Sequence, residues 1–69
     1  MNLKVINMKS KRQKYIINRV AGDSSVTIEQ LADELNVSEM TVRRDLKELE
    51  DDEQIIRTSN SILLKDSFL

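Results

Sequence analysis

Apolar positions recur at helical spacing three times along this chain, and then the pattern changes to one suited to short strands. Ile16, Ile17 and Val20 fall at i, i+1 and i+4 on a surface otherwise occupied by lysine and arginine. They predict a first helix from Lys9 to about Ala21, closed by Gly22. The second stripe is Leu31, Ala32 and Leu35, preceded by Thr27 with Gln30 three residues on. That spacing predicts a capping box, in which the Thr27 side chain and the Gln30 side chain each satisfy a backbone N–H of the first turn. The third stripe, Val42, Leu46 and Leu49, predicts a helix from Glu39 to about Asp52 with Ser38 as its N-cap. Only Asn36, Val37 and Ser38 separate the second helix from the third, and Asn tolerates the left-handed backbone that so tight a turn demands.

Beyond the third helix the β-prone runs Gln54–Arg57 and Ile62–Lys65 flank the polar stretch Thr58-Ser59-Asn60-Ser61, which predicts a hairpin. Val26 is a candidate for a very short third strand. With no proline, repeat or low-complexity linker, the expected organisation is one domain over residues 9–65. Residues 1–8 are expected to be a flexible N-terminal segment, and residues 66–69 a tail or the start of a linker.

The fold class this implies is mainly α with a small β hairpin. Its helix–turn–helix unit, about residues 26–45, suggests a use. The second helix of such a unit fits the major groove of DNA while the first braces it across the backbone. At 100° per residue, with Val42, Leu46 and Leu49 facing inward, Met40, Arg44 and Lys47 point almost directly outward, and Thr41 and Arg43 lie on the two flanks. Arg can bind guanine O6 and N7 through two parallel hydrogen bonds, and Met40 and the Thr41 methyl can touch thymine methyls. Ser38 and the free N–H groups of the first turn suit a phosphate oxygen. The competing reading is a solvated helix face laced with ion pairs, such as Arg44 with Glu48 or Asp51.

Composition removes most alternatives. The 69 residues include no Cys and no His, so disulfides, thiolate or imidazole metal sites and His-dependent nucleophiles are excluded. Gly22 is the sole glycine, too few for a phosphate-binding loop or a dinucleotide fingerprint. No enzyme activity, cofactor or small-molecule site is expected. The acidic run Glu50-Asp51-Asp52-Glu53 lacks the alternating ligands and turn glycine of a Ca²⁺ loop, and no metal is expected there. No apolar run reaches the length of a signal-peptide core or a membrane span, so the expectation is a cytoplasmic protein with no membrane partner.

The net charge of −1 conceals segregation. Met1 to Val20 carries the bases Lys4, Lys9, Lys11, Arg12, Lys14 and Arg19 and no acid, whereas Ala21 to Val42 carries acids and no base. Phosphate responds to the patch within a Debye length of about 10 Å and not to the sum over the chain. Lys11 and Arg12, at the start of the first helix, are therefore candidates for backbone contact.

With these residues in view, "VTIEQLADELNVSEMTVRRDLKELE" resembles the N-terminal helix-turn-helix of the DeoR family of bacterial transcription regulators, and "SEMTVRRDL" is its most specific part. The likeness extends upstream through "KRQKYIINRV" and downstream into "QIIRTSNSILL", about Lys11 to Leu64. It implies a winged helix-turn-helix of three helices plus a wing at about residues 54–65, binding double-stranded DNA to regulate transcription, usually as a repressor. It implies Ser38, Met40, Thr41, Arg43, Arg44 and Lys47 as DNA contacts, with Arg12 near the backbone. Arg57 and Asn60 complete the candidate set from the wing.

The chain departs from the family pattern at three places. Asn36 and Glu53 stand where glycine is usual, and Ser59-Asn60-Ser61 replaces a His-Gly-Gly wing tip. Family members also carry a larger C-terminal domain that binds a phosphorylated metabolite and assembles the oligomer. An N-terminal piece of a longer regulator is the expected origin, ahead of a complete small regulator. A homodimer reading two half-sites would supply specificity that one module lacks. The alternative function is a winged-helix protein-interaction module with no DNA binding of its own.

Overall fold

The computed structural model describes residues 3–65, with side chains from residue 9 onward. Three helices, α1 (Leu3–Gly22), α2 (Ile28–Leu35) and α3 (Glu39–Asp51), are followed by an antiparallel hairpin, β1 (Ile55–Arg57) and β2 (Ile62–Leu64). The hairpin pairs Ile55 with Leu64, Ile56 with Leu63 and Arg57 with Ile62. This is the three-helix-plus-wing order expected of a winged helix-turn-helix. α1 begins at Leu3, six residues ahead of the start expected at Lys9. The tail expected at residues 66–69 lies outside the described residues.

One core joins all five elements: Ile16 and Val20 from α1, Val26 from the loop, Leu31 and Ala32 from α2, Val42, Leu46 and Leu49 from α3, and Ile55 and Ile62 from the hairpin. Each fully buried aliphatic side chain contributes on the order of 1.5–3 kcal/mol, so the three stripes and the inward strand positions dominate the folding energy. Ile17, Leu35, Val37 and Leu64 pack around it half-buried.

The helix ends explain why α2 and α3 meet so closely. Thr27 and Gln30 form the expected capping box, with Gln30 N–H donating to Thr27 Oγ1 at 3.0 Å and Thr27 N–H donating to Gln30 Oε1 at 2.9 Å. Asn36 takes the left-handed conformation (φ 58°, ψ 46°), which lets the N–H of Val37 reach the carbonyl of Ala32. Val37 is thereby turned onto the core, and Ser38 caps α3 by accepting from the N–H of Thr41 at 3.1 Å. α3 ends the same way. Glu53 is left-handed (φ 60°), its N–H donates to the carbonyl of Glu50, and that of Gln54 donates to the carbonyl of Leu49.

Two expectations need correction. Gly22 is the last residue of α1 and has no positive φ, so its conformational freedom does not stop the helix. The next residue does: the Asp23 carboxylate accepts from the N–H and hydroxyl of Ser25, drawing the chain into a turn. Val26 forms no third strand, and the sheet has two. Val26 is buried in the core instead, while the N–H of Ile62 donates to the carbonyl of Ser24, tying this loop to β2 by a single bond. Among the described residues no helix is long and apolar enough to cross a membrane.

Candidate nucleic-acid interface

The outward face of α3 carries Met40, Arg44 and Lys47, as the helical wheel predicts, with Arg43 exposed on one flank. Met40 is 68% exposed and presents its apolar side chain on this outward face. Arg44 forms no ion pair among the described residues. The pairing expected of a merely solvated face, Arg44 with Glu48 or Asp51, does not form. The pairs present are long and exposed: Arg43 Nη2 to Glu39 Oε1 at 3.8 Å and Lys47 Nζ to Asp51 Oδ1 at 3.9 Å. Neither reaches hydrogen-bond distance, and exposed i, i+4 pairs contribute only about 0.3–0.5 kcal/mol, so these cations remain available to a stronger acceptor.

Thr41 is half-buried on the other flank, and its hydroxyl lies 3.0 Å from that of Ser38. Ser38 is thus engaged in capping, and what the first turn offers a phosphate is chiefly its unshared N–H groups.

Arg12 sits differently from expectation. Its guanidinium binds Asp45 through both Nε and Nη2, the latter at 3.0 Å, and Asp45 is only 1% exposed. Asp45 also accepts from Gln13 Nε2, which spans to Glu48 at 3.1 Å, and Lys9 pairs with Glu48. The hydrogen bonds to Asp45 hold the Arg12 guanidinium above its ordinary pKa, and those from Lys9 and Gln13 hold the Glu48 carboxyl below its own. Arg12, a candidate backbone contact, is thus placed as a tie between α1 and α3. The wheel could have exposed this, because Asp45 falls 60° from Val42, on the rim of the inner face. A carboxylate there must find a cation, and Arg12 is what the basic first helix supplies.

Lys11 is exposed on α1 and has no ion pair among the described residues. The wing candidates Arg57 and Asn60 are exposed and, with Thr27 and Ile28, line an open groove of about 200 Å³ between the start of α2 and the wing loop. The loop is ordered without the glycines usual at its tip. Thr58 Oγ1 accepts from the N–H groups of Asn60 (3.3 Å) and Ser61 (2.9 Å), and Thr58 N–H donates to the Ser61 carbonyl at 2.9 Å. The structure thus brings Met40, Arg43, Arg44 and Lys47 onto one exposed surface, places Arg57 and Asn60 on the wing, and removes Arg12 from the free cations.

Among the described residues no cluster of carboxylates could hold a metal ion. On the other side of the molecule Arg19 binds Glu34 through two nitrogens, at 2.8 and 2.7 Å, and Tyr15 donates to the same carboxylate at 2.6 Å. These bonds fasten α1 to α2.

Comparison with known proteins places the chain in a family. Residues 12–68 match the model of the DeoR-like helix-turn-helix domain. An HTH-type transcriptional regulator of Haemophilus influenzae is 40% identical over 55 residues, covering 80% of this chain and 22% of that protein. The lactose phosphotransferase system repressor of Lactococcus lactis is 39% identical over 59 residues, 86% of this chain and 23% of its own. The L-fucose operon activator of Escherichia coli is 42% identical over 50 residues, 72% of this chain and 21% of its own. No solved structure matches at a significant level. The chain spans about a fifth of the length of the curated relatives it matches. It belongs to the DeoR-like helix-turn-helix family, the DNA-binding domains of transcriptional regulators.

Proposed function

We propose that this domain reads a specific duplex sequence by seating α3 in the major groove. Arg43, Arg44, Lys47 and Met40 meet base edges, Thr41 touches the groove wall, and the first turn of α3 beside Ser38 meets a phosphate. Lys11 and the wing residues Arg57 and Asn60 track the flanking backbone. The observation that carries this reading is Arg44: exposed, without an ion pair among the described residues, and one position from the buried Asp45 that fixes the rotation of α3.

The action is occupancy and not catalysis. Cys and His are absent from the sequence, and the one glycine cannot build a phosphate loop. We place the protein in the cytoplasm as a regulator, repression being the favoured outcome. One relative is named a repressor and another an activator, so the sign depends on where the operator lies. A single module makes a small interface, and a homodimer on two half-sites about one helical turn apart would supply the missing affinity.

Selection from a random duplex library, followed by anisotropy titration at two salt concentrations, tests the proposal. A defined motif is expected, with a slope of log K against log salt of roughly −4 to −5 for four to six neutralised phosphates. Arg43→Ala/Arg44→Ala should abolish selection. Indifference of the double variant would instead favour a protein-interaction module, for which the exposed cross-strand pair Ile56 and Leu63 on the outer face of the wing is the one supporting feature.

A further inference from the structure

Glu39 opens α3, is exposed, and lies one turn before Arg43 on the same flank. It also closes an open groove of about 540 Å³ whose wall carries Glu29 and Asp33 from α2 and no base. A carboxylate in the first turn of a helix is favoured by the helix dipole, which accounts for its stability there. The dipole does not account for an acidic flank at the end of the helix that enters the groove.

We propose that Glu39 sets specificity by cancelling the long-range charge of Arg43 while leaving its hydrogen-bonding capacity free; this rests on the groove-reading function proposed above. The distance makes the two effects separable. At 3.8 Å the pair is close enough for the two charges to neutralise each other as felt by a phosphate at about a Debye length, roughly 10 Å away. It is too long for a hydrogen bond, so the guanidinium donors are unspent when an acceptor comes within reach. Attraction to duplex of any sequence is a matter of net charge near phosphate, whereas discrimination comes from short-range bonds to base edges. Glu39 therefore subtracts from the first and spares the second. Glu29 and Asp33 extend the same repulsion along the flank. A duplex that slides on its backbone meets this negative edge, while one docked in register presents acceptors to Arg43 and Arg44.

The test compares the full chain with Glu39→Gln, which keeps shape and removes one charge, on the selected duplex and on a scrambled duplex of equal length. Asp52→Asn removes the same charge at the far end of α3 as a control. Glu39→Gln is expected to bind the scrambled duplex about eightfold more tightly at 0.1 M salt, with a slope steeper by about 0.9. The selected duplex should gain less, because in register it is held by short bonds to base edges and first-turn N–H groups rather than by net charge alone, so the ratio of specific to non-specific affinity falls; Asp52→Asn should leave that ratio unchanged. Equal gains on both duplexes, no gain on either, or a switched base preference with unchanged scrambled binding would overturn the proposal while wild-type selectivity stands. If the wild-type chain itself does not distinguish the two duplexes, the groove-reading function fails, and this inference with it.

Discussion

Arg12 and Asp45, 33 residues apart in sequence, form a two-point ion pair that joins the first helix to the third, with the carboxylate buried and the guanidinium side chain half-buried. Removing one partner leaves a buried carboxylate or an unshared guanidinium, and breaking such a pair costs about 3 kcal/mol or more. Arg12→Ala and Asp45→Ala should each lower stability in urea unfolding by that amount, a large part of what a domain this small possesses. Arg12→Met/Asp45→Leu, which removes both charges and keeps volume, should be more stable than either single variant. Equal loss in all three would show that packing matters here and the pair does not.

The bond between α1 and α2 at Glu34 is pH-dependent. Arg19 first, then Tyr15, hold its carboxyl down at about 2 from an ordinary 4.5. A group whose pKa is depressed on folding adds stability above its unfolded value and loses it as pH falls through the folded one. The stability difference between wild type and Glu34→Gln should thus be constant above about pH 5 and vanish between there and about pH 2. A difference that persists at pH 2 would contradict the assignment.

Two left-handed residues make opposite predictions. Glu53 holds φ 60° with a side chain, and Glu53→Gly should stabilise the chain by about 1 kcal/mol in chemical denaturation. Asn36 holds φ 58° at the turn between the two motif helices, and Asn36→Val should cost about 1–2 kcal/mol. Loss of stability on Glu53→Gly would mean that the exposed Lys65–Glu53 pair outweighs backbone strain.

In the wing, Thr58 Oγ1 is the acceptor that orders the loop. Thr58→Ala should raise amide exchange at Asn60 and Ser61 by about fivefold, the equivalent of one lost hydrogen bond of about 1 kcal/mol, with little change in global unfolding. Unchanged exchange would show that the strand pairing alone holds the tip.

Legibility from sequence followed the physics of each element. The three stripes, the capping box at Thr27 and Gln30 and the turn at Asn36 are local rules with one consistent solution, and the helices and the outward position of Met40, Arg44 and Lys47 were readable from them. What local rules cannot show is which distant charges meet. Arg12 looked like a free cation because its partner is far along the chain, and nothing local marks Asp45 as that partner. Gly22 looked like the helix stop because glycine usually is one, whereas the Asp23 side chain supplies the turn. Val26 was β-prone in isolation but is spent on the core.

The measurement closest to the central claim is a ¹⁵N chemical-shift map of the labelled chain titrated with its selected duplex. The largest perturbations are expected at Ser38 to Lys47, including the Arg44 and Arg43 side-chain Nε–H groups, with smaller ones at Arg57 and Asn60 and near silence at the Arg12 Nε–H held by Asp45. Perturbations centred on the outer face of the hairpin at Ile56 and Leu63, with Arg44 unmoved, would contradict it.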